Sequence, residues 1–168
     1  MRFAPFFLDP STPPEGKPRR QYSQPGDPPS PLEQRGASLG ITFTRGRTWT
    51  SNSHLALQAG EFAEEHGDVG QAFHKRLFKA YFEELADIGK VDELVRLGGE
   101  AGLPADELRA ALESGRYCQQ VDDGLAWSHA AGVRAVPTFI FDERMGLVGA
   151  QPSEVFEELM QELGAKPR

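Results

Sequence analysis

Apolar residues recur at helical spacing through the middle of the chain, from about residue 51 to residue 131. A helix places residues three and four apart on one face, so this period predicts amphipathic helices. Glycines follow four of the five rows and predict where those helices end, with Gly98-Gly99 closing the third. The rows are Leu55, Ala59 and Phe62; Phe73, Leu77 and Tyr81; Val91, Leu94 and Val95; Leu108 and Leu112; and Tyr117, Val121 and Leu125.

The pattern changes after Gly132. Residues Thr138 to Phe141 are β-branched or aromatic, Asp142-Glu143-Arg144 is polar, and Met145 to Val148 is again apolar, which predicts a β-hairpin. Ser153 is predicted to cap a last helix. Its inward residues are Val155, Phe156, Leu159, Met160 and Leu163.

The first fifty residues show little periodicity. Nine of the 13 prolines fall within the first 31 residues, so residues 9 to about 35 are predicted to form an irregular connection. Before it, Arg2 to Leu8 is apolar and predicts a strand that Pro5 confines to a sheet edge or interrupts. After it, Leu39 to Phe43 is a short extended candidate.

Composition narrows the classes of function. A net charge of -7 and a pI of about 5.1 disfavour nucleic acid and anionic membranes as partners. No apolar run approaches the ~20 residues of a membrane span, and the start does not have the pattern of a secretory signal, so a cytoplasmic location is expected.

Cys118 is the only cysteine, which excludes an intramolecular disulfide and every multi-cysteine metal or redox motif. The histidine spacings do not indicate a metal site either, and we expect no metal and no cofactor.

Five motifs occur in order along the chain. They are Pro5-Phe6-Phe7-Leu8-Asp9-Pro10 with Pro14-Glu15-Gly16, Asn52 with His54, Leu77-Phe78-Lys79-Ala80-Tyr81-Phe82, Gly132 to Phe139, and Gly149-Ala150-Gln151-Pro152. Together and in this order they resemble the DsbA-like thioredoxin family, and specifically its FrnE-like branch. The resemblance implies an α/β, thioredoxin-like fold with an all-helical insertion. Residues 1–50 and 132–168 would form the thioredoxin-like part, and residues 51–131 would form the insertion.

The resemblance also implies where a substrate would bind. It places a cis-proline at Val136-Pro137, which leaves the N–H and C=O of Val136 free to pair with an extended peptide. Val136, Pro137 and Thr138 are therefore the predicted substrate-binding residues. Asn52, His54 and Arg134 are candidate ligand contacts, with helix capping as the alternative for Asn52 and His54 and a solvated surface position as the alternative for Arg134.

The departures from the family are as informative as the matches. The family begins with a strand, a Cys-x-x-Cys motif and a first helix, whereas this sequence starts at the segment that resembles the second strand, so the fold is predicted to be N-terminally shortened. Either Met1 is a late start in a longer reading frame, or the protein is a naturally shortened relative that uses the scaffold for something other than thiol exchange. Without that motif it has no catalytic residue for thiol exchange. Losing a central strand is expected to expose apolar faces carrying Phe73, Phe78, Phe82 and Phe156, and a homodimer is the expected result.

Three functions follow from these observations. The first is a DsbA-like or FrnE-like thiol:disulfide oxidoreductase scaffold, inactive as given, whose substrate would be a peptide or protein thiol. The second is a relative of kappa-type, glutathione-dependent isomerases or transferases, with a small thiol such as glutathione as partner. The third is a non-catalytic peptide-binding module. The Gly-Ala-Gln-Pro at 149–152 favours the FrnE-like branch over the kappa type.

Overall fold

The computed structural model describes residues 3–20, 23, 26–142 and 145–164. These parts of the chain are mixed α/β and rich in helix. The elements are β1 (Lys17–Pro18), α1 (Pro31–Ser38), β2 (Trp49–Thr50), α2 (His54–Glu64), α3 (Asp68–Phe82), α4 (Val91–Ala101), α5 (Ala105–Glu113), α6 (Cys118–Ala130), β3 (Thr138–Phe141), β4 (Met145–Val148) and α7 (Ser153–Glu162).

The core lies among helices α2 to α5, as their periodicity predicted. Phe62 of α2, Phe73 of α3 and the leucines Leu94, Leu97 and Leu108 have almost no exposed surface. Tyr117 belongs to the same buried cluster, and Val121 on α6 is fully buried. The aromatic row on α3 is therefore core packing. The prediction that Phe73 belongs to an uncovered face is wrong, although Phe78 is exposed.

The Gly98-Gly99 pair does not end α4, contrary to the prediction. The helix continues to Ala101 and stops at Gly102, whose φ of 95° lies in the left-handed region that glycine favours. A Cβ atom on Gly98 would lie 2.5 Å from Cδ2 of Leu108. The glycine at position 98 therefore serves the close packing of α4 on α5.

Two short elements interrupt the segment that was predicted to be irregular. Lys17 pairs with Thr50, and Pro18 pairs with Trp49, in an antiparallel ladder. Helix α1 begins at a capping box, in which Glu33 N–H donates to Ser30 Oγ and Ser30 N–H donates to Glu33 Oε2. Because both partners of the box lie within four residues, this helix is specified locally despite the surrounding prolines.

The strand predicted at Arg2–Leu8 does not form in residues 3–8. Arg2 lies outside the described residues. Pro5 is buried against α6, where the ring lies so close to Gly124 that a Cβ there would be 2.6 Å from Pro5 Cγ. The carbonyl of Pro5 accepts a hydrogen bond from Ser128 Oγ. This segment therefore packs on helices instead of joining a sheet. Leu39–Phe43 forms no strand either.

The hairpin was predicted with the bounds that the structure shows. Strands β3 and β4 are antiparallel, with Thr138 opposite Val148 and Phe141 opposite Met145, while Glu143 and Arg144 of the predicted turn lie outside the described residues. Helix α7 contacts the hairpin through Phe156, whose ring centroid lies 4.8 Å from that of Phe139. Ser153 is the first helical residue, and Pro152 occupies the N-cap position instead. No described residue of β3, β4 or α7 is buried.

Candidate functional site

The loop from Gly132 to Thr138 connects the end of α6 to β3. Gly132, with a φ of 75°, turns the chain out of the helix, and Val133 N–H donates back to the carbonyl of Ser128 at 3.0 Å. These bonds fix the start of the loop on the end of α6. The position of the loop therefore follows from the packing of α6.

The Val136–Pro137 peptide bond is cis in the structure. The carbonyl of Pro137 accepts a hydrogen bond of 2.8 Å from the N–H of Gly149, the residue after β4, and Thr138 Oγ1 donates to the carbonyl of Ala135 at 2.7 Å. Both bonds tie the loop to the hairpin. The loop is thus held from the helix side and from the hairpin side.

Val136 itself presents an open backbone. Its side chain is 48% exposed, and no hydrogen bond among the described residues uses its N–H or its C=O. An extended peptide that pairs with a protein strand needs such free backbone groups. The loop continues into β3, which pairs only with β4 among the described residues. The other edge of β3 is therefore unpaired beside the same loop.

Arg134 lies exposed on this loop, two residues before Val136. It forms no hydrogen bond or ion pair with any described residue. An exposed guanidinium beside the open backbone of Val136 can bind a carboxylate on a ligand. Its role as a ligand contact stays a prediction.

Asn52 and His54 lie at the start of α2, and no hydrogen bond, ion pair or ring contact joins them to residues 136–138 in the described structure. Asn52 Oδ1 accepts from the N–H of His54 at 2.8 Å, and Asn52 Nδ2 donates to the carbonyl of Thr12 at 2.8 Å. Asn52 thus fixes the first turn of α2 to the proline-rich segment, a capping role. Ser53, at the N-cap position itself, makes no side-chain cap.

The His54 side chain has partners that sequence reasoning missed. Its Nε2 lies 3.0 Å from Oδ1 of Asp122 on α6, and its Nδ1 lies 3.0 Å from Nε2 of Gln58. Cys118 Sγ lies 3.8 Å from the other carboxylate oxygen of Asp122. One signal was in the sequence, because residues 118 and 122 are four apart and share a helix face. The approach of His54 depends on how α2 packs on α6.

Comparison with known proteins decides the family. The sequence pattern of the DSBA-like thioredoxin domain matches residues 1–161. The chain belongs to the DSBA-like thioredoxin family. The prediction of the DsbA-like thioredoxin family is confirmed, and so is the predicted class of fold, whereas the FrnE-like branch stays a prediction.

This DSBA-like chain is similar to one curated protein in sequence and to one solved structure in fold. It is 29% identical over 148 residues to the uncharacterised protein YwbO of Bacillus subtilis (strain 168), a match covering 85% of this chain and 72% of YwbO. Its structure is similar to the crystal structure of a probable DsbA oxidoreductase from Streptomyces coelicolor, with a TM-score of 0.71 and 27% identity. That match covers 82% of this chain and 59% of the Streptomyces protein, so the DSBA-like chain spans less than two thirds of its neighbour.

None of the helices in the described ranges has the length and apolar character that a bilayer-spanning helix requires.

Proposed function

We propose that this DSBA-like chain binds an extended peptide at the Val136–Pro137 loop and does not exchange disulfides by itself. The observation that carries the proposal is the open backbone of Val136, which lies on a loop held from both sides. The family assignment supports it, because the structural neighbour is described as a probable DsbA oxidoreductase and such an enzyme must hold a peptide next to its thiols.

The chemistry of the chain itself argues against exchange. Thiol–disulfide exchange forms a mixed disulfide with one thiolate and needs a second thiol to resolve it. Cys118 is the only cysteine, so this sequence offers no second thiol that could resolve the mixed disulfide. We therefore expect insulin reduction by dithiothreitol to proceed at the blank rate with the wild-type chain and with Cys118→Ala. A rate above the blank in either protein would contradict this part of the proposal.

The FrnE-like branch is the subfamily we favour. Gly149-Ala150-Gln151-Pro152 carries the motif, and the Gly149 N–H bond to Pro137 ties that motif to the proposed peptide-binding loop. Gln151 Nε2 donates to the carbonyl of Val148 at 2.9 Å, which holds the turn after β4. The motif thus supports the geometry of the loop.

Peptide binding can be tested with a probe that cannot exchange thiols. Fluorescein-labelled, S-carboxymethylated insulin B chain is extended and has both thiols blocked, so any binding is non-covalent. Fluorescence anisotropy should show saturable binding to the wild-type chain. Absence of binding would overturn the proposal.

Two variants at one position separate backbone pairing from side-chain contact. Val136→Pro removes the N–H that a peptide carbonyl would bind, and the loss of one hydrogen bond of ~1.4 kcal/mol weakens affinity about tenfold. Val136→Ala keeps the backbone groups and should stay within about threefold of the wild type. Equal affinities for the wild type and Val136→Pro would exclude pairing at this residue, provided that both proteins unfold at the same temperature.

A further inference from the structure

The contact between α2 and α6 brings three potential metal ligands together. His54 starts α2, Cys118 starts α6, and Asp122 follows one helical turn later. One imidazole nitrogen, the thiol sulfur and one carboxylate oxygen all lie within 4.8 Å of one another. His54 and Cys118 are half-buried and Asp122 is exposed, so the cluster opens to solvent on one side.

The spacing of these atoms suits a tetrahedral ion. Bonds of about 2.0–2.3 Å to nitrogen, oxygen and sulfur place the ligand atoms of a tetrahedral Zn²⁺ about 3.3–3.8 Å apart. His54 Nε2 lies 3.0 Å from Oδ1 of Asp122, and Cys118 Sγ lies 3.8 Å from Oδ2 of the same carboxylate. With one carboxylate oxygen taken for the set, the three ligand atoms lie within 4.8 Å of one another. Small changes of side-chain torsion would therefore bring the three groups onto one ion.

The charges also fit. A thiol and a carboxylate in contact repel each other when both are ionised, so the pair gains most from a divalent cation between them. Cys118 as thiolate, Asp122 as carboxylate and a neutral His54 together balance the two positive charges of Zn²⁺.

A second observation comes from Gln58, one turn after His54 on α2. Its side chain is 4% exposed, its Nε2 lies 3.0 Å from His54 Nδ1, and its buried Oε1 has no hydrogen-bond partner. Turning the amide by 180° would place Oε1 against Nδ1, where it accepts the Nδ1 proton. The lone pair of His54 Nε2 would then face Cys118 and Asp122. A ligating histidine is commonly held in this way by an acceptor on its other nitrogen.

Contacts with neighbouring residues position the ligands on both helices. Asn52 fixes the backbone of His54, and the ring of Phe7 lies 6.1 Å from the imidazole, centroid to centroid. Tyr117, the N-cap residue of α6, and Val121 on α6 are both buried, and each is next to a ligand position in the sequence. The ligands therefore come from two helices whose relative position the core determines.

We propose that His54 Nε2, Cys118 Sγ and a carboxylate oxygen of Asp122 form a Zn²⁺ site whose fourth position is open to water or to a ligand. Binding forms three bonds to the ion and releases the Cys118 proton to solvent, with no change in oxidation state. The site is independent of the peptide-binding proposal, because its residues lie on α2 and α6 and not on the Val136 loop.

Cobalt provides a direct test, since a Co²⁺–thiolate bond produces a near-ultraviolet charge-transfer band and tetrahedral Co²⁺ produces visible bands. Tag-free protein, stripped with a chelator, is titrated with Co²⁺ and then with Zn²⁺. We expect both bands to grow to one equivalent and to disappear as Zn²⁺ displaces the cobalt. Absence of a thiolate band would overturn the proposal.

Matched variants assign the ligands. Cys118→Ser should abolish the charge-transfer band, and His54→Ala and Asp122→Asn should each weaken Zn²⁺ affinity at least tenfold. Asp123→Asn, at the neighbouring exposed carboxylate, should bind as the wild type does. Gln58→Leu should weaken binding about tenfold while keeping the cobalt spectrum. Equal Zn²⁺ affinity in Asp122→Asn, His54→Ala and the wild type would show that the ion binds elsewhere. Circular dichroism of each apoprotein establishes that the fold is intact.

Discussion

Ser128 Oγ donates a hydrogen bond of 2.8 Å to the carbonyl oxygen of Pro5, and both residues are buried. This bond joins α6 to the start of the described chain. Gly124, one turn earlier on α6, leaves the space that the Pro5 ring fills. Pro5 is therefore held on α6 by this hydrogen bond and by this close packing contact.

We expect both contacts to stabilise the fold. Ser128→Ala leaves the Pro5 carbonyl without its buried donor and should lower the free energy of unfolding by about 1–3 kcal/mol in urea titrations. Gly124→Ala should also destabilise, because its Cβ would overlap the proline ring. The control is Gly99→Ala at an exposed position of α4, where a Cβ atom would be 3.9 Å from the nearest atom and the change should stabilise by about 0.5–1 kcal/mol. A neutral Gly124→Ala would contradict the packing described here.

The capping box of α1 predicts a pH dependence. Hydrogen bonds from the guanidinium of Arg45, with further bonds from Ser30, lower the pKa of Glu33 from its usual 4.5 to about 2. A lowered folded-state pKa means that the stabilisation is complete above pH 4.5 and is lost as pH falls towards 2. The difference in unfolding midpoint between the wild type and Glu33→Gln should thus be largest near pH 6 and shrink below pH 4.5. Glu158→Gln, at an exposed position of α7, should show no such trend.

Two phenylalanines of α3 should differ sharply when they are truncated. Phe73 is fully buried, and Phe73→Ala should cost about 3–5 kcal/mol of stability. Phe78 is 62% exposed, and Phe78→Ala should change stability by no more than about 0.5 kcal/mol. Chemical unfolding followed by circular dichroism measures both. Similar losses at the two positions would place both rings in one core.

We also expect a homodimer, which stays a prediction. The hairpin and α7 carry exposed apolar side chains at Ile140, Val148 and Met160, and exposed apolar patches of this kind mark interfaces. Light scattering coupled to gel filtration should give twice the 18.5 kDa of one chain. Ile140→Lys together with Val148→Lys should shift the mass to the monomer. A stable monomer of the wild type would contradict the dimer. A double variant that stays dimeric would show that the interface does not include Ile140 and Val148.

The helices and the hairpin were readable from the sequence because their apolar spacing and their packing agree. Helix α1 differs from the predicted irregular connection, because Ser30-Pro31-Leu32-Glu33 carries a capping box with a proline at the first helical position, and this local signal outweighs the surrounding prolines. The strand predicted at Arg2–Leu8 failed for residues 3–8 because apolarity does not say which partner a segment packs on, and Pro5 packs on a helix.

The predicted ligand contacts divide in a similar way. The Val136 loop follows a local motif, whereas the neighbours of His54 come from a helix 64 to 68 positions later in the chain. No local pattern encodes that approach, since it depends on which faces of α2 and α6 meet. The division into residues 1–50 with 132–168 and residues 51–131, and the cytoplasmic location, stay predictions.

A chain with one cysteine has one natural attachment point for a thiol-reactive reporter. Cys118 is half-buried between α2 and α6, so a dye attached there is anchored to the helical core. A second cysteine, introduced at the exposed position of Val148, would carry a second dye on the hairpin. Energy transfer between the two dyes would then report, in solution and in real time, whether the distance between the hairpin and the helices changes when a peptide binds.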